Sequence, residues 1–219
     1  RSCLPKTAWP PTSKVTREQT NARRDEIINA CAQLYETTSF KDLTLKDVGS
    51  ATSFTRTSIY NYFQTKEEIF LALLEREYDL WNDDLTAISE ENERLSADEF
   101  ADRLARSLEK RERLLKIMSM NHYDLESSSR MENLTRFKRA YGKSLQLVAR
   151  CVEKFFPDMG ADEVQNFIYV FFPFMFGIYP YTNVTEKQGE AMKNADADYV
   201  FMSVYEIAFS CVKTLLRGR

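Results

Sequence analysis

The side chains best suited to chemistry lie in a polar run at positions 56–61. Arg56, Thr57 and Asn61 offer a guanidinium, a hydroxyl and an amide, and no carboxylate lies among them. Ile59 and Phe63 are spaced i, i+4, so on a helix both face inward and the polar set faces outward. Outward donors without negative charge are suited to the base edges and phosphates of DNA.

The chemistry of each side chain indicates its role on a duplex. The planar fork of Arg56 matches guanine O6 and N7, while Thr57 and Asn61 add methyl or amide contacts to bases. Hydroxyls, ammonium groups and helix N-termini contact phosphates, which set the register without reading sequence. The predicted phosphate contacts are Thr44, Lys46, Thr55, Tyr60, Tyr62 and Lys66, although Tyr62 has packing against the first helix as its alternative.

Two short helices must position these side chains. Thr44 is a good N-cap for a helix that carries Leu45 and Val48 and ends near residues 51–52, and Thr55 caps the second helix after a tight connection. Helices of under three turns cannot bury their own apolar faces. The pair therefore predicts a helix-turn-helix, in which the second helix enters the major groove of DNA.

The flanking sequence supplies the scaffold. Apolar spacing over about residues 20–38 predicts a preceding helix, and Thr65 with Glu68 forms the capping-box pattern that opens a helix to about Ile88. We expect the first turns of this long helix to pack on the DNA-binding head and its last turns to belong to the body. It would then link the two mechanically.

The run of residues 55–68, TRTSIYNYFQTKEE, resembles the S-x-G-T-L-Y-x-Y-F-x-S-K-E-x signature of the tetracycline-repressor-like (TetR) family of bacterial transcription regulators. The resemblance covers roughly residues 20–75. Thr57 and Ser53 stand where the family has glycine, and Thr52 stands where it has alanine. The base preference of the family therefore does not transfer, and Ser53 makes a positive φ less accessible in the turn.

The rest of the chain predicts an all-α body. Ser96 opens a helix with another capping box, a further helix is expected to start at residue 114, and others are expected at about 128–155, 164–179 and 199–216. The last two are apolar around most of their circumference, so they need partners on both sides: a deep core, or a core and a second copy of the chain, which we favour. Pro173 and Gly177 interrupt the first of them, which argues against a membrane span.

The family resemblance implies a dimer formed by the last two long helices, which reads two half-sites of a pseudo-palindromic operator, and a body that encloses a small-molecule pocket. The candidate pocket residues are Met118, His122, Phe137, Tyr141, Phe172, Phe176 and Tyr179. The candidate interface residues are Phe167, Phe171, Met202 and Phe209. For each pocket residue an ordinary core position is the alternative, and His122 is equally suited to the surface.

The charge distribution and the spacing of the cysteines limit the classes of function that the chain can have. Residues 1–64 hold nine Lys or Arg against six acids, whereas the net charge of the 219-residue chain is −3, which suits a DNA-binding head on an acidic body. The four cysteines share no C-x-x-C spacing and His122 is the only histidine, so no structural zinc site is expected. We interpret Cys31, Cys151 and Cys211 as buried thiols of a cytoplasmic protein.

The sequence therefore predicts three regions: a disordered arm or expression remnant at 1–17, a helix-turn-helix domain at 18–65, and a helical ligand-binding and dimerisation domain at 66–219. The predicted function is a sequence-specific transcriptional regulator, a repressor released from its operator by a small apolar or aromatic ligand, with no cofactor. The alternative is a helical adaptor that has lost DNA binding. An enzyme is disfavoured because the carboxylates at 83–93 have no nucleophile and base at suitable spacing.

Overall fold

The computed structural model describes residues 16–53, 56–120 and 122–219, apart from the side chains of Arg17 and Arg56. Within these ranges the chain forms α-helices and no β-strand, which confirms the all-α prediction. The helices are α1 Arg17–Thr37, α2 Leu45–Ser50, α3 Arg56–Ile59, α4 Lys66–Glu90, α5 Ala97–Glu109, α6 Glu112–Met118, α7 His122–Ser127, α8 Met131–Phe155, α9 Ala161–Thr182, α10 Glu186–Asn194 and α11 Val204–Leu215. The chain divides into two compact units between Gln64 and Thr65.

The first unit contains α1, α2 and α3, with α2 in contact with both of its neighbours. Helix α1 begins three residues earlier than predicted because Thr16 caps it, in a reciprocal pair of hydrogen bonds with Gln19. Residues 16 and 17, predicted as part of a disordered arm, therefore belong to this helix and its cap, while residues 1–15 lie outside the described residues. The side chains of Ile27, Cys31 and Val48 are fully buried.

Helix α4 organises the second unit, since it packs most extensively along α8 and also contacts α5, α6 and α7. Trp81 is fully buried on it, and its indole Nε1 donates to Ser107 Oγ at 3.0 Å. Asn82 donates to the Ala140 carbonyl at 3.1 Å and accepts from Ser144 Oγ at 2.7 Å. These bonds satisfy the Trp81 indole and the Asn82 amide between α4 and its neighbours, so they fix the register of the packing.

The helices near the C-terminus differ from the prediction in length and number. Helix α9 continues through Pro173 and Pro180, with one face buried and the other exposed. Helix α11 packs along α5 and begins only at Val204, because Ser203 caps it in a reciprocal box with Glu206. The short helices α7 and α10 were not predicted, and α8 begins at residue 131 rather than 128.

Two further findings concern the apolar segments. No single helix among the described residues is long and apolar enough to cross a membrane, and α9 with α10 reaches that length and composition only across an 86° bend. Cys31 and Cys151 are buried as predicted, whereas Cys211 is only half-buried because it lies on the partly exposed α11.

An ion pair between the buried Glu68 carboxylate and Arg130 joins the start of α4 to the start of α8. Glu68 is 1% exposed, and its carboxylate accepts from Arg130 at the backbone N (2.9 Å), Nε (2.7 Å) and Nη2 (2.9 Å). Thr65 Oγ1 donates to the Ser128 carbonyl at 3.1 Å beside it. The predicted capping box is therefore half right: Thr65 caps the Glu68 amide, but the Glu68 carboxylate is directed at Arg130 instead.

We expect the two halves of this ion pair to differ in their effect on stability. Arg130→Gln leaves a buried carboxylate without its cation and should cost about 3 kcal/mol of unfolding free energy. Glu68→Gln should cost less, about 1 to 2 kcal/mol, because the Arg130 side chain is 42% exposed and can turn to water. Urea unfolding of the full chain at one fixed protein concentration measures both.

Glu67→Gln is the matched control, since Glu67 lies in the same helical turn but is half-exposed. It should change the unfolding free energy by less than about 0.5 kcal/mol. Equal losses for the Glu68 and Arg130 variants would show that the buried charge does not determine the stability of this junction.

Candidate functional site

The first candidate site is the outer surface of α3 and the turn that follows it. Ile59 and Phe63 are buried, whereas Thr57 and Asn61 are exposed and Tyr60 is 44% exposed. Helix α3 is a single turn, and the amides of Tyr62 and Phe63 extend it by bonding to the Ile59 carbonyl at 2.8 and 2.9 Å. Two of the three residues predicted to read DNA bases, Thr57 and Asn61, thus lie on the solvent side, as the i, i+4 pattern required. Thr55 and the side chain of Arg56 lie outside the described part of the chain.

The residues predicted to contact phosphates differ in exposure and in the contacts that they already make. Lys46 is exposed on α2 and Tyr62 is half-buried. Thr44 is exposed, but its hydroxyl donates to Asp47 Oδ2 at 2.6 Å and accepts from the Asp47 amide at 3.2 Å, so the cap already uses it. Lys66 is the first residue of α4, in the second unit. Of the predicted phosphate contacts described in the first unit, Lys46 is the one with an exposed, positively charged side chain, and its contact with a phosphate stays a prediction.

Helix α1 positions the turn between α2 and α3. The Ser53 amide donates to Glu26 Oε1 at 2.7 Å, and this hydrogen bond lowers the pKa of the Glu26 carboxyl. Ser53 does not have a positive φ; among the described residues only Asp196 and Gly218 do. The glycine that the family places here is therefore not required by the conformation of this turn.

The second candidate site is a cavity of about 360 Å³ in the second unit. It brings together four of the predicted pocket residues, namely His122, Phe137, Tyr141 and Phe176. The His122 and Phe176 rings meet edge to face with centroids 4.8 Å apart, and His122 Nε2 lies 3.0 Å from the Met118 carbonyl oxygen. Burial lowers the pKa of His122, which keeps its imidazole neutral near pH 7.

Sequence reasoning missed the other residues around this cavity, which are Tyr78, Tyr123, Glu126 and Lys138. A signal for Tyr78 was present, because it lies four residues after Leu74 and three before Trp81 on the apolar face of α4. Glu126 and Lys138 form an ion pair at 2.6 Å across two helices, which no local pattern indicates.

The three remaining predicted pocket residues lie elsewhere. Phe172 borders a larger groove of about 650 Å³ between α8 and α9, which Tyr141 also borders. Met118 is fully buried and Tyr179 is half-buried, and neither lines either of these two cavities. Met118 is therefore an ordinary core residue, which was the alternative to a pocket position.

The interface prediction needs correction at two positions. Phe167 is 1% exposed and Phe171 is fully buried, and both rings pack within one copy of the chain, so neither is free to contact a second copy. The exposed side of α9 instead presents Tyr169, 71% exposed, and Val170. Met202 lies before α11 and Phe209 lies on it, both half-buried, and their role at an interface stays a prediction.

Neither site resembles a metal centre. Among the described residues, no group of three or more His, Cys, Asp or Glu side chains is placed to hold a metal ion. The carboxylates at the N-termini of α2, α5 and α11 are instead engaged with the cap residues of those helices.

A capped α2, a one-turn α3 with an exposed polar side, and a scaffold helix α1 define a protein of the helix-turn-helix class. Two family models match the chain: "Bacterial regulatory proteins, tetR family" over residues 27–73 and "Tetracyclin repressor-like, C-terminal domain" over residues 75–219. The chain belongs to the TetR family of bacterial transcriptional regulators.

A curated relative matches over a part of the chain. The uncharacterized HTH-type transcriptional regulator YfiR of Bacillus subtilis (strain 168) is 36% identical over 62 residues. This alignment takes in 28% of the present chain and 30% of that relative, so the two are comparable over less than a third of their lengths.

Solved structures share the fold across most of the chain at low identity. A TetR/AcrR-family regulator from Thermobifida fusca has a TM-score of 0.57 at 18% identity, covering 90% of this chain and 98% of that one. FadR from B. subtilis, solved in complex with stearoyl-CoA, has a TM-score of 0.56 at 15% identity, covering 89% and 98%. FadR from Thermus thermophilus, in complex with lauroyl-CoA, has a TM-score of 0.56 at 16% identity, covering 90% and 94%.

The Glu26 contact leads to a testable expectation about the turn. In Glu26→Ala the Ser53 amide loses its acceptor, so its hydrogen exchange should be roughly tenfold faster at about pH 7, as measured by NMR on the full chain. Asp25→Ala, an exposed neighbour on the same helix, is the control and should leave Ser53 unchanged.

The pH dependence follows from the direction of the Glu26 pKa shift. Because the folded pKa lies below its ordinary value, the contact stabilises the folded state at neutral pH and is lost as the pH falls through the folded pKa. The difference in melting temperature between native protein and Glu26→Ala should therefore shrink between about pH 7 and about pH 3. A difference that stays constant would assign the effect to the shape of the side chain and not to its charge.

Proposed function

We propose that this protein binds double-stranded operator DNA as a homodimer and that a small molecule bound in its second unit changes its affinity for the operator. The observation that carries the proposal is the exposed side of α3 and its following turn, where Thr57, Tyr60 and Asn61 face solvent without a carboxylate. A surface that binds a protein partner would need exposed apolar anchors there, and Tyr60 is the one large apolar side chain exposed among the described residues 56–63.

The charge distribution supports binding to DNA. Phosphate contacts supply most of the affinity of a DNA-binding protein, and the surplus of basic residues in 1–64 favours them. A helix of one turn reaches few base pairs, so specificity requires two copies that contact half-sites about 34 Å apart. Because bacterial operator DNA lies in the cytoplasm, we expect this regulator to act there.

A ligand bound in the second unit would affect the DNA-binding unit through α4. Tyr78 of this helix borders the 360 Å³ cavity, and Glu68 and Thr65 in its first turn bond to residues 130 and 128, at the junction of α7 and α8. Residue 65 directly follows Gln64, the last residue of the first unit. A ligand that displaces α7 or α8 would therefore act on the point where the first unit is attached.

The solved structures support a response to ligand. Two proteins of this fold were crystallised with acyl-CoA molecules, so the fold accommodates small molecules in regulators. For the switch proposed here, the ligand must bind the conformation unsuited to DNA more tightly than the other, with a coupling typically of about 1 to 3 kcal/mol. We infer that the protein represses transcription when it is bound to the operator and that ligand binding releases it.

The function can be tested on a fragment from upstream of the protein's own gene, or on a site selected from random duplexes if that fragment is not preferred. Arg56→Ala should lose about 1 to 3 kcal/mol of preference for the selected site over random DNA. Lys46→Ala should weaken binding to all sequences alike and reduce the salt dependence by about one counterion. Titrations at several salt concentrations separate the two effects.

Lys187→Ala removes the same charge from α10, in the second unit, and is the matched control. It should leave both the preference and the salt dependence unchanged. If no duplex is preferred at physiological salt even after removal of bound small molecules, the regulator proposal fails and the adaptor alternative gains support.

A further inference from the structure

One ring nitrogen of His122, in the second unit, is a hydrogen-bond acceptor. The Nε2 atom lies 3.0 Å from the Met118 carbonyl oxygen. Because a carbonyl oxygen only accepts, Nε2 must be the protonated donor of this bond. Burial lowers the pKa of His122, which keeps the ring neutral near pH 7. In a neutral imidazole with its proton on Nε2, the other nitrogen, Nδ1, carries an unshared lone pair.

This Nδ1 atom is unpaired but not enclosed. Within the described part of the chain, the His122 side chain makes its hydrogen bond through Nε2 and none through Nδ1. Among the described residues, the Tyr78 hydroxyl is the one buried side-chain nitrogen or oxygen that lacks a partner. Since Nδ1 is unpaired and is not among such buried atoms, it has accessible surface. The two nitrogens of an imidazole point in different directions, so this surface faces away from the Met118 carbonyl.

The open space that His122 borders is the cavity of about 360 Å³ between α4, α7, α8 and α9. Neither the groove between α8 and α9 nor the cavity beside α10 includes this residue. The wall around His122 is aromatic: its ring meets that of Phe176 edge to face, with centroids 4.8 Å apart, and the Phe137 and Tyr141 rings stack at 6.2 Å. Such rings favour a flat aromatic guest, because aromatic pairs prefer offset or edge-to-face geometry.

The two charged groups of the cavity wall neutralise each other. Glu126 and Lys138 form an ion pair at 2.6 Å, and both side chains are partly exposed. The Lys138 ammonium also lies 5.2 Å from the Phe137 ring centroid and 5.8 Å from that of Tyr141, so a cation already occupies these ring faces. A charged guest would have to displace one member of this pair, whereas an uncharged guest leaves it intact.

We propose that this cavity binds an uncharged aromatic molecule of one or two rings that carries a hydroxyl or N–H group, and that this group donates a hydrogen bond to Nδ1 of His122. The size suits such a molecule, since the cavity lies near the lower end of the range of about 300 to 1,000 Å³ for small-molecule sites. That this molecule is the effector rests on the regulatory function proposed above, but its binding can be measured without DNA.

NMR of the nitrogen-labelled full chain tests the contact directly, because His122 is the only histidine and its two ring nitrogens can be assigned without ambiguity. Without a guest, Nε2 should give the signal of a protonated nitrogen and Nδ1 that of an unprotonated one. Phenol, which carries a hydroxyl donor and is neutral near neutral pH, should move the Nδ1 signal upfield. Toluene has nearly the same size and no donor, so it should leave that signal close to its unbound position.

Affinities isolate the hydrogen bond, with dissociation constants taken from ligand-detected NMR titrations. His122→Phe keeps a ring against Phe176 but has no nitrogen, so its affinity for phenol relative to toluene should fall about fivefold below that of the native protein, as expected for one hydrogen bond. Tyr141→Phe is the control, since Tyr141 borders the same cavity and the variant loses only a hydroxyl. It should keep the native preference for phenol. Benzoate and benzylammonium, the charged probes, should both bind more weakly than phenol.

Four results would overturn the proposal: no binding of phenol, an Nδ1 signal that does not move when phenol binds, a charged probe as the tightest, or a preference for phenol that depends on Tyr141 and survives in His122→Phe. The Nδ1 signal is measured on the native protein, so it decides even if the His122 variant does not fold. Operator binding with and without phenol is a separate readout. If phenol binds through His122 but leaves operator occupancy unchanged, the site stands and its proposed regulatory role fails.

Discussion

A carboxylate enclosed by protein must keep a cation, and the second unit is arranged to meet that requirement at Glu68. Its three bonds to Arg130 fix the first turn of α4 against the junction of α7 and α8, and the Thr65–Ser128 bond repeats the constraint one turn earlier. The interaction is directional, because the guanidinium fork fits only one orientation of the carboxylate. The position of α4 relative to α7 and α8 therefore has few alternatives near this pair, and its remaining turns follow from the Asn82 and Trp81 bonds farther along.

The first unit depends on contacts of a different kind. Its two short helices have few internal hydrogen bonds, so their positions are set by buried apolar residues such as Val48, Ile59 and Phe63, and by one polar contact from α1. Arg24 also lies over the Phe63 ring, 5.3 Å from its centroid. Thr57 thus faces solvent on a scaffold that is held by these buried contacts, which suits the proposed recognition surface.

Local patterns in the sequence predicted local structure well. The i, i+4 spacing of Ile59 and Phe63 and the caps at Thr44 and Ser96 are all present in the structure. Contacts between distant parts of the sequence could not be predicted. Nothing near Glu68 indicates a partner 62 residues away, so its carboxylate was wrongly assigned to the capping box with Thr65. Helix α9 is apolar on nearly every side, so its sequence could not distinguish the buried Phe167 from the exposed Tyr169. The polar helix α10 lacks the apolar periodicity on which helix prediction depends.

The two described cysteines of α8 and α11 limit the kinds of signal that this body can receive. Burial raises the pKa of both Cys151 and Cys211 to about 11. At neutral pH roughly one thiol in ten thousand is then ionised, and the thiolate is the form that peroxides and disulfides attack. Oxidants would therefore modify these two positions slowly, so neither thiol is suited to sensing a change in the redox state of the cell.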